Sequence, residues 1–392
     1  MVKVCGICGG ELEKIIEIPG SNRGNSIHVC KQCSILQLVE SAEYDAAKDP
    51  HSLKFSGERH IEAAQGAMWG NIRHGKGLRF DAHFDLLEKA LSASNPEVIY
   101  DDGANRGHFA RYIQEKYPKK TYIGCEPDPI CFESYINNGT PEIIESYTEN
   151  FLENVNVDFV YTCHTLEHVD SVKDHMNKLN NMMNDGATIF VDLPNSENIN
   201  FENYIFEEYF VEKHKYNFML EDVLNILVHS GFSIDQVVSD PFNLTVIGTK
   251  NKDYGCDLTK ITSSNKKVNI QVENVLDYYR KMEKTNNIFS SACNNINIFK
   301  KDKEVIFYGG GRLLLGFFGM GLNNDNILHV IDNYLFDKTK SCNGLPLKNE
   351  TVLESSNKDI PIIVFARSST DKIIKDLNSK GFALVQSFSE FI

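Results

Sequence analysis

The sequence predicts an α/β protein with a Rossmann-like, doubly wound sheet, a small cysteine module before it and a smaller α/β domain after it. Three observations carry this. Val98–Asp102 is a short apolar run ending in two acids, followed by a Gly-x-x-x-Gly turn from Gly103 to Gly107 and a helical pattern through Phe109–Gln114. Two Cys-x-x-Cys pairs lie within the first 33 residues. A second glycine turn, Tyr308-Gly309-Gly310-Gly311-Arg312, follows another apolar run late in the chain. Strand, glycine turn and helix N-terminus form the unit that brings backbone amides up to a ligand in such sheets.

A length of 392 residues suits two or three domains. The boundaries read as a cysteine module at 1–42 and a main domain at 43–255 with a helical N-terminal part. A linker and helix at 256–300 and a second α/β domain at 301–392 complete the chain. The net charge of −14 argues against nucleic acid or an anionic membrane as the main partner. No apolar run approaches the roughly 20 residues of a membrane span, and the residues after Met1 lack a signal-peptide core. Of ten cysteines, six are scattered as free thiols would be in a reducing compartment, so a cytoplasmic protein is expected.

The other four form Cys5-Gly-Ile-Cys8 and Cys30-Lys-Gln-Cys33, with 21 residues between the pairs. Each pair turns two thiolates to one side, and together they complete a tetrahedral S4 site for zinc. Two disulfides are disfavoured by the compartment, and iron is the less common alternative. Four ligands close the coordination sphere, so the site reads as structural. The metal would supply folding energy that so small a module lacks. Its expected task is to hold the loop at residues 19–25 at the mouth of the next domain.

The dinucleotide fingerprint Gly-x-Gly-x-x-Gly is absent, because Gly103 and Gly107 are four apart. The next strand, Lys120 to Cys125, ends on Glu126, 24 residues after Asp102, where an acid can take both hydroxyls of a ribose. Acid-x-Gly-x-x-x-Gly with this second acid resembles the S-adenosylmethionine (SAM) site of class I methyltransferases. The resemblance implies that Asp102, Gly103, Asn105, Gly107, Glu126, Pro127 and His164 line the cofactor. His164 follows the strand Asp158–Cys163 and begins His164-Thr-Leu-Glu167-His168-Val169. Strand ends face the ligand, so His164 is also a candidate base and His168 a weaker one. The Leu-Glu-His-Val segment is widespread among methyltransferases, where its Glu and His commonly fix the loop.

Phe80, Phe84, Leu87 and Leu91 share a helix face ahead of this core, and Arg59 to Gly66 also has helical spacing. Trp69 reads as a packing residue or a stacking partner for adenine. After His168 come a helix through Met183, a turn at Asn184–Gly186 and a strand from Ala187 to Leu193. A polar, aromatic lid from Phe201 to Phe218 precedes a helix at Leu220–His229, a strand from Gly231 and a last antiparallel strand, Phe242 to Thr249. The polar stretch Asn251–Asn265 reads as a linker, and Val268 to Ser291 as a helix. In the second α/β unit, the strands Glu304–Tyr308 and Leu328–Ile331 flank the glycine turn and a helix from Leu313 to Met320. The second of these ends on Asp332, and Pro361–Phe365 and Gly381–Gln386 add two more. A pyrophosphate could sit on the helix N-terminus beside Arg312, which makes Tyr308, Gly310, Arg312 and Asp332 substrate-binding candidates. A dimerisation or support domain is equally compatible.

The three-part order resembles the sugar C-methyltransferases of deoxysugar pathways over nearly the whole chain. Val29-Cys30-Lys-Gln-Cys33-Ser-Ile-Leu-Gln37-Leu38 matches that family's second cysteine hairpin. Tyr308 to Arg312, Asp332-Asn333 and Gly344-Leu-Pro346-Leu match its C-terminal domain. The resemblance implies methyl transfer from SAM to a carbon of a nucleotide-linked keto sugar, as in surface-polysaccharide or deoxysugar biosynthesis. One segment departs from the pattern. The family's His-Glu-His-x-x-Tyr-Phe stands here as Glu212-Lys213-His214-Lys215-Tyr216-Asn217-Phe218, and Lys54-Phe55-Ser56 replaces a Tyr-containing segment. A carbon acid needs a base and an enolate stabiliser, so His214 is the expected base and Lys213 the expected oxyanion partner. Methylation of a sugar hydroxyl or amine stays open. So do a nucleotide-dependent oxidoreductase and a non-catalytic, zinc-stabilised nucleotide-binding protein.

Overall fold

The computed structural model describes residues 3–18, 21, 23–46, 84–105, 107–128, 143–150, 155–197, 214–240, 243–252, 254–336, 340–366 and 370–392. The chain forms two compact units. One comprises Met1–Ile199 and Tyr209–Leu276, the other Asn200–Glu208 and Asp277–Ile392.

The first unit starts with the cysteine module. A tight turn at Cys5–Cys8 leads into β1 (Leu12–Glu17), which pairs antiparallel with β2 (Ser26–Cys30) and then β3 (Leu36–Val39). In β3 the side chains alternate in burial, with Leu36 and Leu38 inward, as a half-covered strand requires. Ile7, Leu12 and Ile35 are buried around the four cysteines.

α1 (Phe84–Ser94) buries Leu87 and Leu91 on one face, as its spacing predicts. Phe80, Trp69, Lys54–Ser56 and the helical pattern at residues 59–66 lie outside the described residues. The chain continues through β4 (Val98–Asp102), α2 (His108–Lys116), β5 (Thr121–Cys125), β6 (Ile143–Ile144), β7 (Val157–Cys163) and α3 (Val172–Met182). Next are β8 (Met183–Pro194), β9 (Tyr216–Asn217), α4 (Leu220–His229), β10 (Phe232–Ser239) and β11 (Asn243–Lys250). Seven of these strands form one sheet in the order β10-β11-β8-β7-β4-β5-β6. Only β11 runs antiparallel to its neighbours. This is the Rossmann-like class I methyltransferase order. The connections reverse direction between β4 and β7, which opens a crevice at the C-terminal ends of those strands.

Three local expectations change. β8 begins at Met183, directly after α3, and the turn expected at Asn184–Gly186 is absorbed as a bulge: Val157 pairs with Met183 but Phe159 with Thr188. Gly186, at φ 78°, supplies the left-handed residue that such a bulge needs. Residues 201–213 of the expected lid lie outside the described residues, and its tail holds the short strand β9. β9 leaves the large sheet and pairs with β3, so the cysteine sheet has the order β1-β2-β3-β9. Finally, Asn251–Asn265 is not a loose connection. Leu258 and Ile261 are buried, and the carbonyls of Thr259 and Ile261 accept hydrogen bonds from the Gln32 amide at 2.7 and 3.1 Å.

α5 (Asn265–Phe299) is longer than predicted, and the division between the two units falls within it. The second unit continues with β12 (Val305–Tyr308), α6 (Arg312–Gly319), β13 (Ile327–Ile331), α7 (Asn333–Phe336), β14 (Ser341–Cys342) and β15 (Leu345–Lys348). It ends with β16 (Ile362–Val364), α8 (Thr370–Ser379) and β17 (Val385–Ser387). Its sheet order is β14-β15-β13-β12-β16-β17, parallel apart from the β14–β15 hairpin. Gly309 sits at φ 101°, and a Cβ there would lie 2.4 Å from the Phe365 carbonyl oxygen.

The cysteine module docks on the large sheet's helices through Gly6. Its carbonyl accepts from the Lys173 amide at 3.0 Å, and a Cβ on it would lie 2.0 Å from the Tyr216 hydroxyl. Gly6→Ala should therefore push Tyr216 aside and cost about 1–3 kcal/mol. Hydrogen-exchange mass spectrometry should show faster exchange at residues 3–39 and 215–217 and unchanged exchange in β4 and β7.

Candidate active site

The loop after β4 is shaped by its backbone. Gly103, Asn105 and Gly107 have φ of 81°, 46° and 71°, a left-handed series that turns the chain into α2. The amides of Gly103 and Ala104 both donate to the Cys125 carbonyl, at 3.0 and 2.9 Å. A Cβ on Gly103 would meet Thr165 Oγ1 at 2.3 Å, so the neighbouring strand end is what enforces a glycine here. Thr165 in turn donates to the Asp102 carbonyl at 2.8 Å. Glu126 closes the loop, with its carboxylate accepting from the Asn105 amide and the Asp128 amide, both at 2.8 Å. Burial raises the Glu126 carboxyl to about 7, although those two amides pull the other way. Pro127 beside it is half-buried.

Asp102 is committed differently. Its carboxylate turns into the core, where one oxygen accepts from Thr148 Oγ1 at 2.6 Å and the other lies 2.9 Å from His175 Nε2. His175 Nδ1 meets Glu149 at 3.1 Å. Burial alone would depress His175, but the two carboxylates outweigh it and raise the imidazole to about 10. A buried imidazolium thus ties α3 to the end of β4. Asp101 points to the opposite face, toward the Tyr122 hydroxyl, and burial lifts its carboxyl to about 8.

Beyond β7, His164 sits at φ 54° with its amide bonded to the Asp192 carbonyl at 2.8 Å. Its Nε2 lies 3.2 Å from Asn243 Nδ2, and its Nδ1 lies 3.2 Å from Glu167 Oε1. Asn243 and Thr245 each donate to Asp192 at 2.7 Å, which fixes this corner. Glu167 is buried. Its carbonyl accepts from the Lys215 amide at 2.7 Å, which carries His214 to the same place. The rings of His168 and His214 then stand edge to face, 4.8 Å between centroids. Burial would raise the Glu167 carboxyl, but His164, His168 and His214 hold it down at about 2. The structure therefore gathers His164, His168 and His214 around one carboxylate. Lys213 lies outside the described residues.

The four cysteines converge as their spacing predicts and form no disulfide. Sγ of Cys5 and Cys33 are 3.7 Å apart, and Sγ of Cys8 and Cys30 are 3.4 Å apart. The amides of Ile7, Gly10 and Cys33 point at the sulfurs of Cys5, Cys8 and Cys30, at 3.4, 3.4 and 3.5 Å. Sulfurs this close, with amides directed at them, suit thiolates sharing one tetrahedral metal.

In the second unit, Asp332 spends both carboxylate oxygens locally, on the amides of Gly310 at 3.0 Å and Leu335 at 2.9 Å. The Tyr308 hydroxyl donates to Glu350 at 3.0 Å. Arg312 opens α6, and Asp332 ties the glycine turn to the end of β13.

Sequence reasoning missed Thr148, Glu149, His175, Asp192 and Asn243. The one available signal was the period of α3, which puts His175, Met176 and Leu179 on its buried face.

Residues 77–237 match a protein family described as Methyltransferase domain. The matched stretch carries the loop at Gly103 and most of the seven-stranded sheet, so this part of the chain is a methyltransferase domain by similarity to that family. No curated protein matches the chain. Among solved structures, it is similar to a putative S-adenosylmethionine-dependent methyltransferase of Listeria monocytogenes, at 15% identity over 43% of this chain and 98% of that one, with a TM-score of 0.37. It is also similar to a methyltransferase of Clostridium acetobutylicum, at 12% identity over 50% and 98% of the two chains and a TM-score of 0.39. The N-methyltransferase NodS of Bradyrhizobium japonicum, in complex with S-adenosyl-L-homocysteine, matches at 13% identity over 48% and 98%, with a TM-score of 0.36.

If Glu126 takes the ribose as the sequence pattern suggests, its raised carboxyl would make cofactor binding pH-dependent. A ribose hydroxyl donates better to the anion than to the acid, so SAM affinity should rise as pH climbs through about 7. The stability of the fold should run the other way. A carboxyl raised in the fold stabilises it fully below the unfolded value of about 4.5, and this is lost as pH rises through about 7. Glu126→Gln should flatten the pH profile of SAM binding measured by calorimetry, and Glu126→Ala should weaken binding by about ten- to a hundredfold.

Proposed function

We propose that the enzyme transfers the methyl group of SAM to a carbon of a nucleotide-linked keto sugar, in surface-polysaccharide or deoxysugar biosynthesis in the cytoplasm. The observation behind this reading is the group of His164, Glu167, His168 and His214, joined to the cofactor loop by the Thr165–Asp102 hydrogen bond. The loop from Gly103 to Gly107 takes the methionyl side of SAM, with Glu126 and Pro127 on the ribose side. The acceptor lies over the imidazoles, where its proton is taken. His214 is the residue that the family resemblance nominates for this, with Lys213 as the oxyanion partner. In the second unit, Tyr308, Gly310, Arg312 and Asp332 are the nucleotide-binding candidates.

A second reading, methylation of a sugar hydroxyl or amine, is supported by Asn217. It takes the place of the family's tyrosine and is buried in β9 opposite Leu36, where it offers no phenol to an enolate. Cys5, Cys8, Cys30 and Cys33 hold a structural zinc ion in either case.

Incubation of the enzyme with methyl-labelled SAM and a panel of nucleotide sugars should label a keto sugar. Label on no sugar at all would remove the reading. His214→Ala should lower turnover by roughly 10²–10⁴ and leave SAM binding intact. Cys30→Ser should release the zinc, as elemental analysis would register, and leave the SAM domain folded.

A further inference from the structure

We propose that Glu167, His168 and His214 bind a divalent transition-metal ion, separate from the one assigned to the cysteines. Their ligand atoms all lie within 4.8 Å of one another, close enough for a single ion. Two imidazoles and one carboxylate form a donor set suited to zinc, iron, nickel or manganese in their divalent states. The cysteine cluster is closed by four sulfurs, whereas this one has three ligands and an open side. The His168 side chain is 42% exposed, while that of Glu167 is 1% exposed.

The second observation is the carboxylate itself. Glu167 Oε1 and Oε2 are both buried, and among the described residues no group makes an aligned hydrogen bond to either. A carboxylate taken out of water with no well-aligned donor costs several kcal/mol unless positive charge beside it compensates. Among the described residues, the charged or titratable groups that face it are imidazoles: His164 Nδ1 at 3.2 Å, His168 Nε2 at 3.9 Å, and His214. A cation between His168 and His214 satisfies the carboxylate and uses the imidazoles as lone-pair donors. His164, braced by Asn243, stands behind Oε1 as the group that orients it. The backbone supports the same geometry, because the Glu167 carbonyl holds the Lys215 amide and so sets His214 beside His168.

The inference rests on the reading of this cluster as the acceptor site only for its purpose. Its open side would take an oxygen of the acceptor, a carbonyl or a hydroxyl. The ion would then draw charge from that oxygen, and His214 would serve as a ligand instead of a free base.

The test needs no acceptor. The full-length protein is stripped with a chelator and titrated with cobalt(II), with zinc(II) and manganese(II) as parallel probes. Metal content is read per chain, and the absorption bands separate thiolate-bound cobalt from cobalt held by nitrogen and oxygen. The expected result is two equivalents of cobalt, of which His214→Ala and His168→Ala each lose the one without thiolate bands. His168 is partly exposed, so its replacement keeps the test valid if the His214 variant folds poorly. One equivalent in the wild type with every probe, all of it thiolate-bound, would overturn the proposal. So would two equivalents that both survive in the two variants. Neither result bears on sugar methylation, which the labelled-SAM screen reads separately.

Discussion

The geometry of the histidine cluster depends on one backbone acceptor, the carbonyl of Glu167. It holds the Lys215 amide at 2.7 Å and the Tyr216 amide at 3.3 Å, while the Lys215 carbonyl takes the Leu38 amide at 2.8 Å. Residues 214–217 are thereby stretched between two sheets that would otherwise have no reason to share an edge. On one side of this strap are β7 and the imidazoles that follow it. On the other are β3 and the cysteine knuckles. The Tyr216 side chain adds to the joint, since its hydroxyl donates to the Asp170 carbonyl at 2.9 Å.

The cofactor side is organised by a different principle, the disposal of buried charge. Asp101 and Asp102 are adjacent on β4, so their side chains leave opposite faces of the sheet. One meets a tyrosine hydroxyl and the other a charged imidazole. Glu126, at the end of the next strand, is left with two backbone amides as partners. Of the three acids, Glu126 has partners that a ribose could displace at least cost, because loop amides can return to water. Asp102 keeps α3 in place and sets the start of the glycine turn.

The sequence showed clearly what is local. The glycines at 103 and 107 demand positive φ, the acids end strands, and the Cys-x-x-Cys spacing brings two sulfurs together within a single turn. The antiparallel last strand was also legible, because the run at 242–249 follows the strand from Gly231 with no room for a crossover helix. What depends on distant pairing was not legible. Nothing around Tyr216 announces that it will join β3, since Gln37 and Tyr216 meet only when both sheets exist. His175 looked like an ordinary helix residue until the fold placed Asp102 and Glu149 on either side of it. The linker at 251–265 was misread for a related reason. Its composition is polar, but its two apolar residues, Leu258 and Ile261, are the ones that pack.

β9 has a consequence for how the protein can be divided. A chain cut after the cysteine module would keep every residue of the loop from Gly103 to Gly107, the buried imidazolium and the seven-stranded sheet. It would lose the only strand partner that β9 has among the described residues, and with it the tension that presents His214 to Glu167. The module is therefore the outer half of a mould whose inner half is the methyltransferase sheet. Acceptor choice could drift in evolution by edits to the mould's seam while the cofactor half stays untouched.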